Sequence, residues 1–245
     1  MSDNRFARRI EELDAQERRL AEAAIDAARA SFAGFEEKPD SHYHQALGLT
    51  AEATWARIAE ELGRVSAIAT VEGNRDLPLE VADIELIHRG IFEPVFGDAT
   101  LGFRSKRSEE VTFPIVTGAR DAPHPGSRRG SGGKQVTQNL GRTMAAFRRD
   151  VEALEAKRRP SIDEAARAAV KLYAKVIGIH PFFDGNGRTA WAVVNYALQR
   201  CGLVTIAVPP SDATRWALGR ALRQDGSQSY EPLTALAVSA IRDSA

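Results

Sequence analysis

Cysteine is nearly absent: Cys201 is the only one in 245 residues. No disulfide can form within the chain and no cysteine–histidine metal cluster can be built. This suits a reducing cytosol. A surplus of charge is also missing. Basic and acidic residues number 33 each, for a formal net charge of zero. No bulk field therefore draws the chain to nucleic acid or to a membrane surface. No run of about 18 apolar residues occurs, so no membrane-spanning helix is expected. The opening stretch MSDNRFARRIEELD is polar and lacks the apolar segment of a secretory signal, so the expected location is the cytoplasm. There is no short-period repeat.

What is present is an ordinary globular balance, with 43% hydrophobic and 27% charged residues. That supports one large domain, or one domain with a helical extension. Charge is unevenly spread: residues 104–159 are rich in Arg and Lys. Residues 4–32 read as an amphipathic helix carrying Phe6, Ile10, Leu13, Leu20 and Ile25. After a loop over 40–48, Thr50 is the expected cap of a second helix with Trp55, Ile58, Leu62 and Val65 inward. Pro78 is read as opening a third, with Val81, Ile84, Ile87 and Ile91. Val111, Phe113, Ile115 and Val116 are strand-like. The run Gly126–Gly133 reads as the mobile tip of a hairpin or extended flap. Helices are expected again over 136–157, 161–178, 187–200, 211–223 and 230–242, with Ser161 and Glu164 as a capping box. The expected fold class is all-α with one small β-hairpin.

Residues 180–188, His-Pro-Phe-Phe-Asp-Gly-Asn-Gly-Arg, carry the chemistry. The preceding helix has an apolar stripe that ends at Pro181, which places His180 near the helix terminus. Phe182 is expected to anchor the loop in the core. Gly185 and Gly187 allow unusual backbone angles and close ligand approach. The next helix begins near Gly187, so its free N–H groups face the loop as an anion site. Arg188 adds a forked cation for phosphate. Asp184 is placed to hold Mg²⁺ against phosphate oxygens, and His180 to take a proton from a hydroxyl. A plain interhelical turn would need one glycine and none of the other groups.

This loop resembles the Fic family signature, His-x-Phe-x-(Asp/Glu)-Gly-Asn-Gly-Arg-x-x-Arg, at every specified position through Arg188. Leu86–Phe92, Gly102-Phe-Arg104 and Val111 resemble the family's approach to its flap, so the likeness covers roughly residues 78–225. The resemblance implies a helical Fic core over 78–245 with a flap at about 104–134, preceded by a helical extension over 1–77. It implies a nucleotidyltransferase that moves a nucleoside monophosphate, most often AMP from ATP, to a Ser, Thr or Tyr hydroxyl of a protein. His180 would be the base, and Arg188 would serve both catalysis and phosphate binding. Asp184 would bind Mg²⁺, and Gly185, Asn186 and Gly187 would form the anion cradle. The flap would hold the target by strand pairing. Asn195, Trp191 and Trp216 are further positions toward the nucleotide. The partners implied are a nucleotide and a protein acceptor, or the chain itself by auto-modification. A homodimer is compatible with the family; nucleic acid and membrane are not implied.

The chain departs from the signature at its second arginine, which is Trp191 here. Indole cannot pair with phosphate as guanidinium does. Glu72-Gly73-Asn74 resembles the family's inhibitory motif, although Ile68 stands where Ser or Thr is usual. These three residues are the regulatory candidates: with Trp191 in place, either Arg188 substitutes as the partner of Glu72 or the clamp is lost. Two other readings attach to the same loop. One is phosphotransfer of the Doc type, although Doc signatures vary within Gly-Asn-Gly. The other is a nucleotide-binding regulatory protein without turnover. The glycines before Lys134 do not make a P-loop, because Arg128 and Gln135 occupy required positions. His42 and His44 are read as solvated loop residues, His88 as structural and Cys201 as a buried small side chain.

Overall fold

In this computed structural model the described residues are 5–32, 51–97, 101–105, 111–207, 211–223 and 227–244. Eight α-helices and one hairpin account for most of them: α1 Ala15–Phe32, α2 Ala51–Asn74, α3 Val81–Phe96, β1 Thr112–Gly118, β2 Pro123–Arg129, α4 Val136–Glu155, α5 Ile162–Ile179, α6 Asn186–Arg200, α7 Asp212–Ala221 and α8 Glu231–Asp243. The described residues are thus mostly helical, with one two-stranded antiparallel sheet.

Helix α6 is the centre of the bundle. It carries apolar or small side chains on nearly every face, so all of Thr189–Leu198 is buried. A helix apolar all round must be surrounded, and α2, α3 and α5 pack on it. Helix α1 packs on α2, α4 and α8 pack on α5, and α7 packs on β1. One core cluster runs through these layers and includes Ile68, Ile84, Leu140, Leu172, Phe182 and Tyr196. Each such large side chain contributes about 1.5–3 kcal/mol on burial.

Local chemistry sets the helix starts. The Asp14 carboxylate accepts the N–H groups of Gln16 and Glu17 at 2.8 and 2.9 Å, which begins α1 at Ala15. Phe6 and Ile10 therefore lie in short 3₁₀ turns instead of the single helix expected over 4–32. The competing local hydrogen bonds of Asp14 interrupt the pattern. Helix α3 starts at Val81, after Pro78, because the Asp83 carboxylate accepts the Glu80 N–H at 2.7 Å. The Ser161–Glu164 capping box forms as expected, at 3.2 Å in each direction. Residues 40–48 and the Thr50 cap lie outside the described residues.

The hairpin differs from expectation at its tip. Pro123–Arg129 is a regular strand paired with β1, with Phe113 opposite Arg128 and Val116 opposite Pro125. The turn therefore falls at 119–122, not in the glycine-rich run. Proline is tolerated because both strands of a two-stranded sheet are edges. Helix α7 approaches β1 so closely that a Cβ on Gly219 would lie 1.8 Å from the Val116 carbonyl oxygen. Gly219→Ala should therefore force hairpin and helix apart and cost about 1–3 kcal/mol. A fall in thermal midpoint with faster proteolysis at 112–129 is the expected result, and an unchanged midpoint would contradict this packing.

Candidate active site

Helix α5 ends at Ile179, and His180 caps it in the left-handed region, with φ 54° and its N–H on the Val176 carbonyl at 3.1 Å. This conformation is costly for a residue with a Cβ and persists only where its surroundings enforce it. Arg104 enforces it. Its guanidinium is buried and donates to the His180 carbonyl through Nε at 2.9 Å and Nη2 at 2.5 Å. Nη2 also reaches the carbonyls of Ser131 at 2.8 Å and Ile179 at 3.3 Å. The Arg104 N–H donates to Pro181 at 2.9 Å. One cation thus joins the end of the flap, the end of α5 and the start of the loop.

The imidazole of His180 stacks on Phe113 of β1, ring centres 4.3 Å apart and planes 11° from parallel. Burial, followed by the nearby Arg104 charge, pushes its pKa down to about 4. The Ile177 carbonyl and Asp184 oppose this only weakly. Nδ1 is buried and makes no hydrogen bond of normal geometry, despite that carbonyl. The ring is therefore neutral at pH 7.

The loop is held from within. Asn186 Oδ1 accepts the Phe182 N–H at 2.9 Å, and its Nδ2 donates to the Phe182 carbonyl at 3.0 Å. The Asn186 side-chain amide is thus committed to shaping the loop. Phe182 is fully buried and stacks on His88, with centroids 3.7 Å apart. His88 Nε2 lies 3.1 Å from the Asp184 carbonyl oxygen. Because a carbonyl only accepts, that nitrogen carries the proton. Burial pushes the His88 pKa down to about 3. The sequence marks His88 only as a helical residue; its hold on the loop comes from a pairing 96 positions apart. Arg104 is similarly inconspicuous, an arginine beside Leu101 and Phe103.

Gly185 has φ 75°, and a Cβ there would lie 2.3 Å from the Phe92 ring. Both facts require glycine. Helix α6 begins immediately afterwards with no side-chain cap, and Gly187 is exposed. Its first N–H groups therefore point out with the positive end of the helix dipole. Arg188 is buried with its guanidinium 4.9 Å from the Phe92 ring centre and 3.7 Å from Asp184 Oδ1. Asp184 Oδ1 also accepts the Gly185 N–H at 2.5 Å. Phe183 projects outward at 58% exposure.

The remaining candidates lie apart from this cluster. Trp191 is buried against Ala27 and Ala28 of α1. Asn195 is fully buried, and its Nδ2 donates to the Trp191 carbonyl at 3.2 Å. Trp216 is half-buried on α7. Glu72 is buried near the end of α2, and its ion pairs are with Arg5 at 3.3 Å, Arg8 at 3.6 Å and Arg75 at 3.7 Å. Arg188 is not among them. Gly73 packs against the Tyr196 backbone, and Asn74 is exposed. His42 and His44 lie outside the described residues.

Residues 78–198, which include the flap, the clamp and the loop, match the Fic/DOC family model. This segment is a Fic/DOC family domain. Two curated relatives of this Fic chain are the Protein adenylyltransferase Fic of Drosophila persimilis and the Protein adenylyltransferase fic-1 of Caenorhabditis elegans. The first is 26% identical over 140 residues, covering 57% of this chain and 23% of the relative. The second is 43% identical over 49 residues, covering 20% of this chain and 9% of the relative. The chain thus spans about a quarter or less of these relatives' length. Among solved structures, a Fic domain containing signaling protein from Bacteroides thetaiotaomicron superposes with TM-score 0.61 at 17% identity, covering 96% of this chain and 89% of the other. IbpAFic2 superposes with TM-score 0.55 at 18% identity, covering 96% and 65%. At these identities the superpositions establish the Fic fold alone.

The two buried imidazoles of the Fic site make stability depend on pH. Both are lowered in the folded chain, so the unfolded chain takes up protons first as pH falls. Their contribution is complete above about 6.5 and is lost on acidification toward 4 and 3. For His88 the loss between pH 6.5 and 5 is about 2 kcal/mol. His88→Gln keeps a donor for the Asp184 carbonyl but does not titrate. Urea unfolding at pH 7.5 and 5.0 should show a smaller loss in this variant than in the parent; an equal loss would remove His88 as the source.

Proposed function

We propose that this chain is a protein adenylyltransferase, moving a nucleoside monophosphate from ATP or a related triphosphate to a hydroxyl of a target protein. The observation that carries the proposal is a neutral His180, clamped through its main-chain carbonyl, in one short loop with an uncapped helix start and the Arg188 guanidinium. The hydroxyl oxygen attacks the α-phosphorus and the α–β anhydride bond breaks. Pyrophosphate leaves, and the hydroxyl proton passes to His180. A phosphate dianion bound nearby raises the imidazole pKa toward the working range. The N–H groups of Gly187 and Arg188 and the Arg188 guanidinium supply donors for the phosphates. The curated relatives' names, Protein adenylyltransferase, agree with this reading.

Asp184 is half-buried. Among the described residues no group of three or more His, Cys, Asp or Glu side chains is placed to hold a metal. A lone carboxylate beside a phosphate site fits Mg²⁺, which binds through one or two carboxylates and substrate phosphates. Bound there, Mg²⁺ would offset phosphate charge. With Trp191 in place of the second arginine, the terminal phosphates depend on Arg188 alone. Among the described residues β1 and β2 pair only with each other, and α7 closes on β1 at Val116, so the flap edge away from α7 is the one to which an extended target segment can add.

Intact-mass analysis with ATP, Mg²⁺ and cell lysate tests this. A gain of one AMP on the chain or on a target is expected, and His180→Ala should abolish it. Gain of phosphate alone would replace the proposal with Doc-type phosphotransfer, and no gain with any triphosphate would replace it with a binding role. Because the base works deprotonated, kcat/KM should stay level from pH 8 to about 5 and fall as pH approaches about 4.

The pairing of Glu72 with three arginines supports a lock on the amino-terminal turns over an obstruction of the site. Glu72→Gly should cost about 1–3 kcal/mol, because the arginines it leaves are partly exposed and Arg5 and Arg75 keep Asp83 and Glu17, with transfer activity unchanged at a temperature where the chain stays folded. A rise in activity would mark Glu72 as inhibitory instead.

A further inference from the structure

A cavity of about 650 Å³ lies between α4, α5 and β2, with Ser131 and Ile179 lining the end nearest the histidine loop. This volume lies within the range of small-molecule sites. Its wall carries five basic side chains: Arg142 and Arg149 from α4, Lys171 and Lys175 from α5, and Arg128 from β2. The acid among its described lining residues is Asp150, already paired with Lys171 at 3.2 Å. That ion pair closes one end of the antiparallel α4–α5 groove. Toward the other end, Arg142 and Lys175 face the cavity with no ion-pair or hydrogen-bond partner among the described residues, and Arg149 is likewise unmatched.

A row of arginines on an exposed helix is ordinarily just a solvated face. Two features separate this one. The cations come from three elements and converge on a concavity, which concentrates like charge at a cost unless an anion arrives. At the inner end, the Tyr230 hydroxyl and Arg128 Nε are buried and meet no protein partner. Burial without a partner costs about 1–3 kcal/mol per group. Arg128 is otherwise anchored, because its Nη1 donates to the Leu222 carbonyl. Burial lowers its pKa, and the nearby Tyr230 opposes that shift. Leu172 and Phe147 give the cavity an apolar floor.

We infer that this cavity is a second anion site, built for a small ligand with two or more phosphates. A ligand oxygen at the inner end would accept from Tyr230 and from Arg128 Nε. Arg142 and Lys175 would hold the outer phosphate. A concave site of this size with an apolar floor fits a small molecule better than a protein segment. The site stands independently of the transfer reaction proposed for His180. It touches that region structurally, because Arg128 is the register partner of Phe113, which stacks on the His180 ring.

The test is calorimetric titration of the full chain with inorganic pyrophosphate, comparing the parent, Arg142→Gln/Lys175→Gln and Arg188→Gln. The double variant alters only exposed side chains, so folding is preserved and can be checked by circular dichroism. Saturable binding to the parent is expected, weakening as salt rises. The double variant should bind at least about tenfold more weakly, the scale of losing charge-assisted hydrogen bonds. Arg188→Gln should leave this binding in place. The inference fails if pyrophosphate does not saturate the parent, or if Arg188→Gln abolishes binding while the double variant does not.

Discussion

Everything at the candidate site depends on the Arg104 clamp. A buried guanidinium is tolerated only when its donors are satisfied, and here main-chain carbonyls do this. Ser131 lies after the flap, Ile179 ends α5, and His180 begins the loop. These carbonyls include acceptors that a helix end leaves unmatched. A single positive charge at a helix C-terminus thus satisfies orphan acceptors, opposes the helix dipole and pins the hairpin. The Arg104 charge adds to burial, the larger cause, in keeping the adjacent imidazole uncharged.

The 180–188 loop stood out in the sequence because its information is local. Histidine, proline, two glycines and an arginine within nine positions each carry a conformational or chemical requirement that survives without knowledge of the fold. The helices were legible from periodicity, and the Ser161 cap from its spacing to Glu164. The misreadings also have physical reasons. Asp14 captured two N–H groups and split the first helix. Pro123 and Pro125 look like loop residues but are acceptable in an edge strand. Arg104 and His88 could not be singled out, because their partners lie 76 and 96 positions away.

The amino-terminal helices do more than extend the domain. Trp191, standing where the family signature has arginine, is buried against two alanines of α1. A charged side chain there would face that small-residue surface at considerable desolvation cost. Glu72 shows the complementary change. Its carboxylate is neutralised by Arg5, Arg8 and Arg75. Arg5 reaches on to Asp83 at 2.6 Å, and Arg75 to Glu17 at 2.5 Å. The structure thus has apolar packing at Trp191 and a local ion network around Glu72, with no ion pair between the two regions.

The stacking of Phe113 on His180 ties the basicity of the imidazole to the position of the hairpin. Desolvation is the largest cause of its lowered pKa, and Phe113 on β1 is part of the cover that excludes water. Lifting the hairpin would wet the ring and restore its affinity for a proton. Seating it would dry the ring and release that proton. The histidine is thus an intrinsic reporter of flap closure, and its NMR titration curve would register when something occupies the strand edge.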